Sequence, residues 1–313
     1  MRAIAVNQWG GRDRMELLEV EPPPVAPDGV LVRVRAAGLN PVDYKVREGH
    51  LADKFPHHFP VVLGWDVAGT VEELGGGVTR FAVGDRVFGM PWFPRLARAY
   101  AEFVTSPARQ LARTPDGLTD EQAGGLPLAG LTAWQSLVDV AEVGEGDRVL
   151  IHAAGGGVGH LAVQIAKARG AYVLGTARAA KHDYLRELGV DEPIDYTTTP
   201  WEQTVSDLDL VVDLIGGEDY GMRSLQTLRK GGLLIAVPGG VLDAVAAAGR
   251  EQSKRTSGIQ VEPDYCALES LAALVDAGKL TVTVDETFPL DQAAEAHRRL
   301  EEGQARGKIV LTA

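Results

Sequence analysis

The segment His152–Arg178, HAAGGGVGHLAVQIAKARGAYVLGTAR, constrains this chain more than any other. An apolar run precedes its glycines and an amphipathic stretch follows them, so the order is strand, glycine turn, helix. A helix that begins at such a turn presents unpaired backbone N–H groups and the positive end of its dipole, which favour an anion. Small residues also let the backbone approach a pyrophosphate. The context therefore predicts a dinucleotide-binding βαβ unit.

The turn matches the dinucleotide fingerprint G-x-G-x-x-G with one departure. Ala154 stands at the first glycine, while Gly156 and Gly159 stand at the second and third. A flexible turn without a ligand is the alternative interpretation of the glycine triplet alone. The residues predicted to bind a cofactor in this turn are Gly155, Gly156, Gly157, Val158 and Gly159.

The end of the second strand, AYVLG, indicates which dinucleotide is bound. Sites for NAD carry an acidic residue there for the ribose hydroxyl, whereas this strand leads to Thr176 and Arg178. A guanidinium grips a 2′-phosphate that a carboxylate would repel. We therefore predict NADPH as cofactor, with Thr176 and Arg178 on the phosphate and His182 and Tyr196 nearby. In the alternative interpretation, Arg178 lies at the start of a solvent-exposed helix and binds no ligand.

The pattern along the chain predicts an α/β fold with two domains. The first part is β-rich, as in VLVRVRAAGL (Val30–Leu39), whose start alternates like a half-buried strand. From about Thr119 to Ser257, short apolar strands alternate with amphipathic helices, which is typical of a parallel sheet covered on both faces. The last part returns to a helix, a strand, a helix that Asp291 is predicted to cap, and a final strand. A length of 313 residues also favours two domains.

Composition excludes several function classes. The net charge of −12 leaves no basic footprint for a nucleic acid. The only cysteine, Cys266, allows neither an internal disulfide nor a cysteine-rich zinc site. No apolar run suits a signal peptide or a membrane span, so we expect a soluble, cytoplasmic protein.

Six segments together resemble the medium-chain dehydrogenase/reductases, in their zinc-independent, zeta-crystallin-like quinone oxidoreductase branch. They are AAGLNPVDYKVREG, PVVLGWDVAGTV, GVTRFAVGDRVFG, LPLAGLTAW, HAAGGGVGHLAVQIAK and ARGKIVL, and they span nearly the whole chain. The resemblance implies a GroES-like catalytic domain over 1–118, a Rossmann NADP(H)-binding domain over 119–257, and a return to the catalytic domain over 258–313. It also implies a homodimer through edge pairing of Rossmann sheets, with GLLIAVPG as the candidate strand.

The chain departs from the zinc-dependent relatives at their metal ligands. Those enzymes place a cysteine where this chain has Asn40, and a His-Glu pair where it has Trp65-Asp66. A tryptophan cannot ligate zinc, and the relatives' lobe with four cysteines is missing. The seven histidines show no ligand spacing, and we interpret His57-His58 as a loop pair. We therefore expect no metal, and a substrate that is electrophilic without a Lewis acid.

The segment Asn40–Lys45 holds the catalytic candidates, because related enzymes line the substrate cleft with it. Hydride addition puts negative charge on a carbonyl oxygen and calls for hydrogen-bond donors and a proton. Asn40 is the candidate donor, Tyr44 a stacking ring with a hydroxyl, and Lys45 a source of charge or a proton. Alternatively, Asn40-Pro41 only starts a turn, Asp43 caps it, and Lys45 is solvated.

Further cofactor residues come from the family and from the strand ends. Thr132 resembles the family's threonine near the nicotinamide, although a hydroxyl bonded to its own helix is the alternative. Two loops follow strands whose carboxyl ends bind ligands in such sheets. Their candidate residues are Ile215, Gly216, Val237, Pro238 and Gly239.

The function that the resemblance implies is NADPH-dependent hydride transfer to quinones or α,β-unsaturated carbonyls. Two alternatives stay open: an enone or enoyl reductase of a biosynthetic pathway, and a low-turnover NADPH-binding redox sensor. The expected partners are a small-molecule substrate and a second copy of the chain, with no nucleic acid and no membrane.

Overall fold

The structure, a computed structural model, describes residues 1–52 and 58–313. His57 of the predicted loop pair lies outside the described residues. No helix in the described part is both long and apolar enough to cross a bilayer.

The secondary structure alternates between β-rich and α/β stretches along the chain. The strands are β1 (Arg2–Val6), β2 (Met15–Glu19), β3 (Gly29–Gly38), β4 (Val61–Val62), β5 (Val67–Leu74), β6 (Arg86–Gly89), β7 (Phe103–Pro107), β8 (Leu111–Arg113), β9 (Arg148–Ile151), β10 (Tyr172–Ala177), β11 (Glu192–Asp195), β12 (Leu208–Asp213), β13 (Leu228–Ala236), β14 (Arg255–Gly258), β15 (Val284–Pro289) and β16 (Lys308–Thr312). The helices are α1 (Pro41–Arg47), α2 (Asp120–Gly125), α3 (Pro127–Trp134), α4 (Gly159–Ala168), α5 (His182–Glu187), α6 (Trp201–Thr204), α7 (Glu218–Thr227), α8 (Asp243–Glu251), α9 (Tyr265–Asp276) and α10 (Ala293–Glu301).

The chain divides into two compact units. The first comprises Met1–Leu131, Glu262–Gly278 and Val282–Ala313, and the second comprises Thr132–Val261 with Lys279–Thr281. Helix α2 packs on β3 and β5 of the first unit. A side chain at Gly38 would come within 2.5 Å of the Gly124 carbonyl oxygen. The first unit therefore continues past residue 118, where the sequence predicted its end.

The first unit is built on two sheets. One has the order β2-β1-β4, and the other has the order β15-β16-β3-β5-β6-β8 with β7 paired to β3. Strand β16, from the end of the chain, pairs antiparallel with β3 and parallel with β15. The chain's last strand is thereby placed beside the residues that lead into α1.

The second unit is one six-stranded parallel sheet with helices on its faces. Its strand order is β11-β10-β9-β12-β13-β14. Strands β10 and β11 are therefore added on one side of β9, and strands β12 to β14 on its other side. A ligand crevice in such sheets opens at the carboxyl ends of the strands where the side changes, which are β9 and β12 here. One face is closed by an apolar cluster that includes Leu150, Leu174, Trp201 and Val211. The predicted class, a GroES-like β-rich domain with a Rossmann parallel sheet, is confirmed.

Two local predictions were wrong. The strand in GLLIAVPG is not an edge, because β13 pairs with β12 on one side and with β14 on the other. The true edge strand, β14, has only four residues and is polar, so a search for apolar strands does not detect it. Asp291 does not cap α10, since it lies inside a 3₁₀ turn and Gln292 occupies the cap position.

Gly69 in β5 tests the packing of the large sheet. A Cβ there would lie 2.1 Å from the Arg33 carbonyl oxygen of the neighbouring strand, whereas a Cβ at Gly76 would meet nothing within 4 Å. We expect Gly69→Ala to lower the free energy of unfolding by about 1–3 kcal/mol, because the strands must separate to admit the methyl group. Gly76→Ala should leave it within about 0.5 kcal/mol of wild type. Chemical denaturation measures both, and equal stabilities would contradict this packing.

Candidate functional site

Most predicted cofactor residues lie at one edge of the parallel sheet. We define the carboxyl edge as the turns that follow strands β9 to β13. These turns contain Gly155–Gly159 after β9, Arg178 after β10, Tyr196 after β11, Ile215-Gly216 after β12 and Val237–Gly239 after β13. Parallel strands end at the same side of a sheet, so residues from five separate segments of the sequence meet there. Thr132 does not lie in these turns and is buried within α3.

The glycine turn brings the start of α4 against the end of β9. Ala153 adopts a positive φ of 49°, and its carbonyl accepts a hydrogen bond from Gly156 N at 2.9 Å. A Cβ at Gly159 would lie 2.3 Å from that same carbonyl oxygen. Only glycine allows this approach, so the third glycine of the fingerprint is explained by helix–turn packing.

The turn fits a pyrophosphate. In the described part of the chain, the backbone N–H groups of Gly157 and Val158 donate to no protein acceptor. They lie immediately before the ten-residue helix α4, whose dipole adds partial positive charge at this end. A Cβ at Gly156 would fill part of the hollow, at 3.3 Å from the Ala153 carbonyl oxygen.

The basic side chains gather at the ends of β10 and β11. Arg178 Nε donates to the Tyr196 hydroxyl at 3.2 Å, and His182 Nε2 lies 3.4 Å from the Ala177 carbonyl oxygen. A Cβ at Gly155 would come within 3.3 Å of the Lys181 side chain, so this basic group borders the glycine turn. The structure thus joins Arg178 to Tyr196, while His182 lies beside the Ala177 carbonyl and interacts with the Asp195 carboxylate. A phosphate-binding role for these residues stays a prediction.

Thr176 is placed differently from the sequence prediction. Its side chain is only 2% exposed, and its hydroxyl accepts a hydrogen bond from Ala153 N at 3.2 Å. The same hydroxyl lies 3.1 Å from His152 Nδ1. Sequence reasoning assigned this hydroxyl to the 2′-phosphate, whereas the structure uses it inside the protein, beneath the glycine turn.

Two aspartates at the carboxyl edge have structural partners. Asp195 accepts hydrogen bonds from the Thr197 hydroxyl at 2.6 Å and from Thr197 N at 2.9 Å, which hold the pKa of that carboxyl below its usual value. Asp213 accepts from Ile215 N at 2.8 Å and from Gly216 N at 3.0 Å, while burial raises its pKa. Asp213 therefore shapes the turn that displays the predicted residues Ile215 and Gly216.

In the first unit, a buried polar cluster surrounds the start of α1. We define it as Asn40, Asp43, Asp66, Tyr100 and Lys308, each at most 3% exposed. Lys308 Nζ donates to the Leu39 carbonyl oxygen at 2.7 Å and to Asn40 Oδ1, and lies 3.6 Å from Asp66 Oδ2. Asn40 Nδ2 donates to that same Asp66 oxygen at 2.8 Å. The Leu128 backbone N–H donates to Asp66 Oδ1 at 2.7 Å, which links the cluster to α3.

Asp43 connects the helix start to Tyr100. It accepts hydrogen bonds from Asn40 N at 2.6 Å and from the Tyr100 hydroxyl at 2.9 Å, both at Oδ2. Its other oxygen, Oδ1, has no partner among the described residues although it is buried. Pro41 begins α1, where its missing N–H is no loss. The sequence alternative, in which Asp43 caps the turn after Asn40, agrees with these contacts.

The predicted catalytic residues divide into one buried and two partly exposed side chains. The Asn40 carboxamide has its nitrogen on Asp66 and its oxygen on Lys308, so its hydrogen bonds go to the protein. Tyr44 and Lys45 are half-buried on α1. Burial raises the pKa of Tyr44, and the nearby Glu48 and Glu301 carboxylates add to this.

Burial dominates the electrostatics of the cluster. It raises the pKa of Asp43 to about 7 and the pKa of Asp66 to about 6, while hydrogen bonds and the Lys308 charge oppose the rise. Burial also lowers the pKa of Lys308, against the attraction of Asp66 and Asp43. Tyr100, beside Asp43, has its pKa raised well above its usual value. Burial therefore makes the two carboxyl groups of the cluster harder to ionise than exposed carboxyl groups.

Sequence reasoning named Asn40, Asp43 and Asp66, and placed Lys308 on the cofactor side of the cleft, but it did not predict that they form one cluster with Tyr100. Asp66, Tyr100 and Lys308 lie on three separated segments, and only the sheet pairing of β16 with β3 brings Lys308 to Asn40. The one available signal was the occurrence of Asp and Lys at positions that the apolar pattern marks as buried. Trp65, beside Asp66, donates its indole N–H to the Arg95 carbonyl oxygen at 2.6 Å.

Comparisons with known proteins cover the whole chain. A family model described as alcohol dehydrogenase GroES-like domain matches residues 26–116, and one described as zinc-binding dehydrogenase matches residues 188–311. A quinone-oxidoreductase homolog, chloroplastic, from Spinacia oleracea is 32% identical, with 99% of this chain and 98% of the relative covered. The structure of the quinone oxidoreductase from Coxiella burnetii is 37% identical with a TM-score of 0.94, over 100% of this chain and 99% of that one. The Escherichia coli quinone oxidoreductase complexed with NADPH is 27% identical with a TM-score of 0.89, over 100% of both chains.

The chain belongs to the medium-chain dehydrogenase/reductase family, as a quinone oxidoreductase-like member. Asn40 and Trp65, which the sequence resemblance places where zinc-dependent enzymes have metal ligands, both direct their polar groups to protein partners. Within residues 1–52 and 58–313, no three His, Cys, Asp or Glu side chains are grouped as metal ligands. The absence of a zinc requirement stays a prediction.

Asp43 gives a test of the buried cluster through pH. A carboxyl whose folded pKa is about 7 binds a proton more tightly in the folded than in the unfolded chain, so stability falls as pH rises from about 4 to 7. In Asp43→Asn, the new carboxamide does not titrate, and its oxygen can still accept from Asn40 N and Tyr100. We expect this variant to gain stability relative to wild type across the window, by about 1.4 kcal/mol per unit of pKa shift removed.

Denaturation with urea at several pH values between about 4.5 and 8, the range that brackets the folded pKa, measures this difference. A stability difference between the two proteins that does not change with pH would contradict the raised pKa of Asp43. Asp85→Asn serves as a control, because this loop carboxyl has a lowered pKa and accepts from Ala82 N and Arg113.

Proposed function

We propose that the protein is an NADPH-dependent oxidoreductase that reduces quinones or α,β-unsaturated carbonyl compounds. The observation that carries the proposal is the corner beside the glycine turn, where the exposed Arg178 is joined to Tyr196 and β10 ends without the acid that a ribose-binding site carries at that position. The nearby Asp195 carboxylate is held by Thr197. Likeness to quinone oxidoreductases, one of them complexed with NADPH, supports it. When bound, NADPH supplies a hydride.

The residues of the carboxyl edge bind and orient the dinucleotide in this proposal. The N–H groups of Gly157 and Val158 hold the pyrophosphate, and Gly155, Gly156 and Gly159 keep side chains out of its way. Arg178 binds the 2′-phosphate with Tyr196, and His182 adds a further polar group. The loops at Ile215-Gly216 and Val237–Gly239 bound the crevice, with Ile215 46% exposed at its rim. Thr132 remains a candidate for the nicotinamide end.

The first unit supplies the polar residues for the substrate. Tyr44 and Lys45, on α1, are the groups proposed to donate to a substrate oxygen. Asn40 is proposed to position them, because its side chain fixes the first residue before α1 through Asp66 and Lys308. The Asp43 carboxyl, whose pKa burial raises, accepts a hydrogen bond from Asn40 N at the same helix start.

An enone or enoyl substrate is the second candidate, and likeness to the CurK enoyl reductase, 25% identical with a TM-score of 0.89, supports it. Reduction of a carbon–carbon double bond ends with a proton added to carbon, so the enzyme needs a proton source. Asp43 is fully buried and accepts hydrogen bonds from Asn40 N and Tyr100, so the half-buried Tyr44 and Lys45 are the proposed proton donors. Both candidates share the same hydride chemistry and differ in the substrate.

A substrate panel tests the proposal. NADPH oxidation is followed by absorbance with a benzoquinone, a phenanthrenequinone, a 2-alkenal and a cyclic enone, and each assay is repeated with NADH. We expect turnover with NADPH and at least one of these acceptors. Turnover of quinones alone would identify the first candidate, and reduction of the enone double bond the second. Binding of NADPH without turnover of any acceptor would contradict the proposal and favour a redox sensor.

Arg178→Ala tests the choice of cofactor. We expect the KM for NADPH to rise about 10- to 100-fold, because a charge-assisted hydrogen bond to the 2′-phosphate is worth roughly 1.5–3 kcal/mol. The KM for NADH, which has no 2′-phosphate, should stay within about twofold of wild type. Arg186→Ala is the matched control, since this arginine on α5 is exposed and pairs with Asp183 at 2.8 Å. An equal effect of Arg178→Ala on both cofactors would remove the argument for NADPH.

Three expectations stay predictions. A homodimer would now use β14 rather than β13 as the pairing edge, since β14 ends the parallel sheet. The cytoplasmic location is untested, and one relative is named as chloroplastic. The absence of nucleic-acid and membrane partners rests on charge and composition alone.

A further inference from the structure

A chain of buried polar groups runs beneath the glycine turn. The Ala153 backbone N–H donates to the Thr176 hydroxyl at 3.2 Å, and that hydroxyl lies 3.1 Å from His152 Nδ1. His152 Nε2 lies 3.3 Å from the Ser224 hydroxyl. Thr176 is 2% exposed, and His152 and Ser224 are fully buried. The chain therefore leads from the first residue of the turn to helix α7, and none of its side chains is available to a ligand.

The Thr176 hydroxyl carries one hydrogen and two acceptor sites, so it can accept from Ala153 N and also pair with His152 Nδ1. A neutral imidazole has one donor and one acceptor nitrogen, so its tautomer sets which ring nitrogen donates, and each nitrogen has a hydroxyl partner, Thr176 at Nδ1 and Ser224 at Nε2. Burial lowers the pKa of His152 to about 3, and the Arg223 charge adds to this, so the ring is neutral at physiological pH.

Packing holds the His152 ring in this orientation. Its edge meets Trp201 with 4.4 Å between ring centroids and Tyr220 with 5.3 Å between centroids. The His152 backbone N–H donates to the Val212 carbonyl oxygen at 3.0 Å, which continues the pairing of β9 with β12. The imidazole cannot turn away from Thr176 without losing these contacts.

The anchored residue is the one that the turn strains. Ala153 has a φ of 49°, a region that is unfavourable for a residue with a side chain. The Ala153 carbonyl accepts a hydrogen bond from Gly156 N and lies against Gly159. The conformation of Ala153 therefore sets the position of the backbone before α4. A hydrogen bond on its N–H offsets part of the strain and selects this conformation over others.

We propose that His152 and Thr176 are positioning residues for the dinucleotide, which hold Ala153 so that the N–H groups of Gly157 and Val158 face the pyrophosphate. This inference rests on the proposed function and extends it. The inference also gives Thr176 a different role from the one predicted from the sequence. Since NADPH and NADH share the pyrophosphate, Thr176 supports the binding of both equally and does not contact the 2′-phosphate.

The test uses Thr176→Val, which keeps the side-chain shape and removes the hydroxyl. We expect the dissociation constants of NADPH and NADH to rise by the same factor, about tenfold, which is typical of one lost buried hydrogen bond. The kcat at saturating NADPH should stay within about twofold, because the reacting groups are unchanged. Thr176→Ser restores the hydroxyl and should bind both cofactors within about threefold of wild type.

Thr227→Val is the matched control for a stability effect alone. Thr227 is also fully buried in the second unit, and its hydroxyl donates to the Ser224 carbonyl oxygen at 2.8 Å. It should lose comparable thermal stability without a change in either dissociation constant. A loss confined to NADPH in Thr176→Val would overturn the inference, and so would unchanged binding of both cofactors.

Amide hydrogen exchange of wild-type protein covers the case in which Thr176→Val does not fold. The Ala153 amide should exchange slowly although it lies in a turn, because its acceptor is buried; rapid exchange would overturn the inference. A different result would contradict the proposed function but not the hydrogen bond at Ala153. In that case, the wild-type protein would bind neither NADPH nor NADH while the Ala153 amide is still protected from exchange.

Discussion

The contact between Gly159 and the Ala153 carbonyl is the constraint on which the second unit depends. Because no side chain separates them, α4 starts directly beside the end of β9, and its first N–H groups face the carboxyl edge. Because β9 and β12 are adjacent in the strand order, a ligand crevice is expected at the carboxyl ends of these two strands, beside the start of α4. A backbone cradle for an anion therefore arises from packing, before any charged side chain contributes. In the proposed function, Arg178 and Tyr196 add the selectivity for NADPH that a backbone cradle lacks.

In the first unit, the polar residues at the start of α1 are held in place by side chains that are themselves buried. Lys308 and Asp66 bring opposite charges into a place that water does not reach, where each would be unfavourable alone. Asn40 uses both ends of its carboxamide to join them, and Asp43 joins the same helix start to Tyr100. The result is a rigid base for α1, which carries Tyr44 and Lys45.

Sequence reasoning reached the fold and the glycine turn because both depend on local patterns. Alternating apolar strands and amphipathic helices, together with a glycine turn between a strand and a helix, are visible in one short window. It failed where long-range pairing decides. The polar strand β14 is recognisable only through its pairing with β13, so the sequence predicts GLLIAVPG as the edge strand. Thr176 has the residue type and the position of a phosphate ligand, but its burial beneath Ala153 depends on the packing of β9 against β10. Lys308 lies beside Asn40 only because β16 pairs with β3.

The measurement that tests the central claim most directly is the ratio of the NADH and NADPH dissociation constants for the wild-type protein, determined by isothermal titration calorimetry. The claim is that the basic corner at Arg178 recognises a 2′-phosphate. It predicts that NADPH binds at least about tenfold more tightly than NADH, since a charge-assisted bond to the phosphate is worth about 1.5 kcal/mol or more. Equal affinities, or tighter binding of NADH, would contradict it.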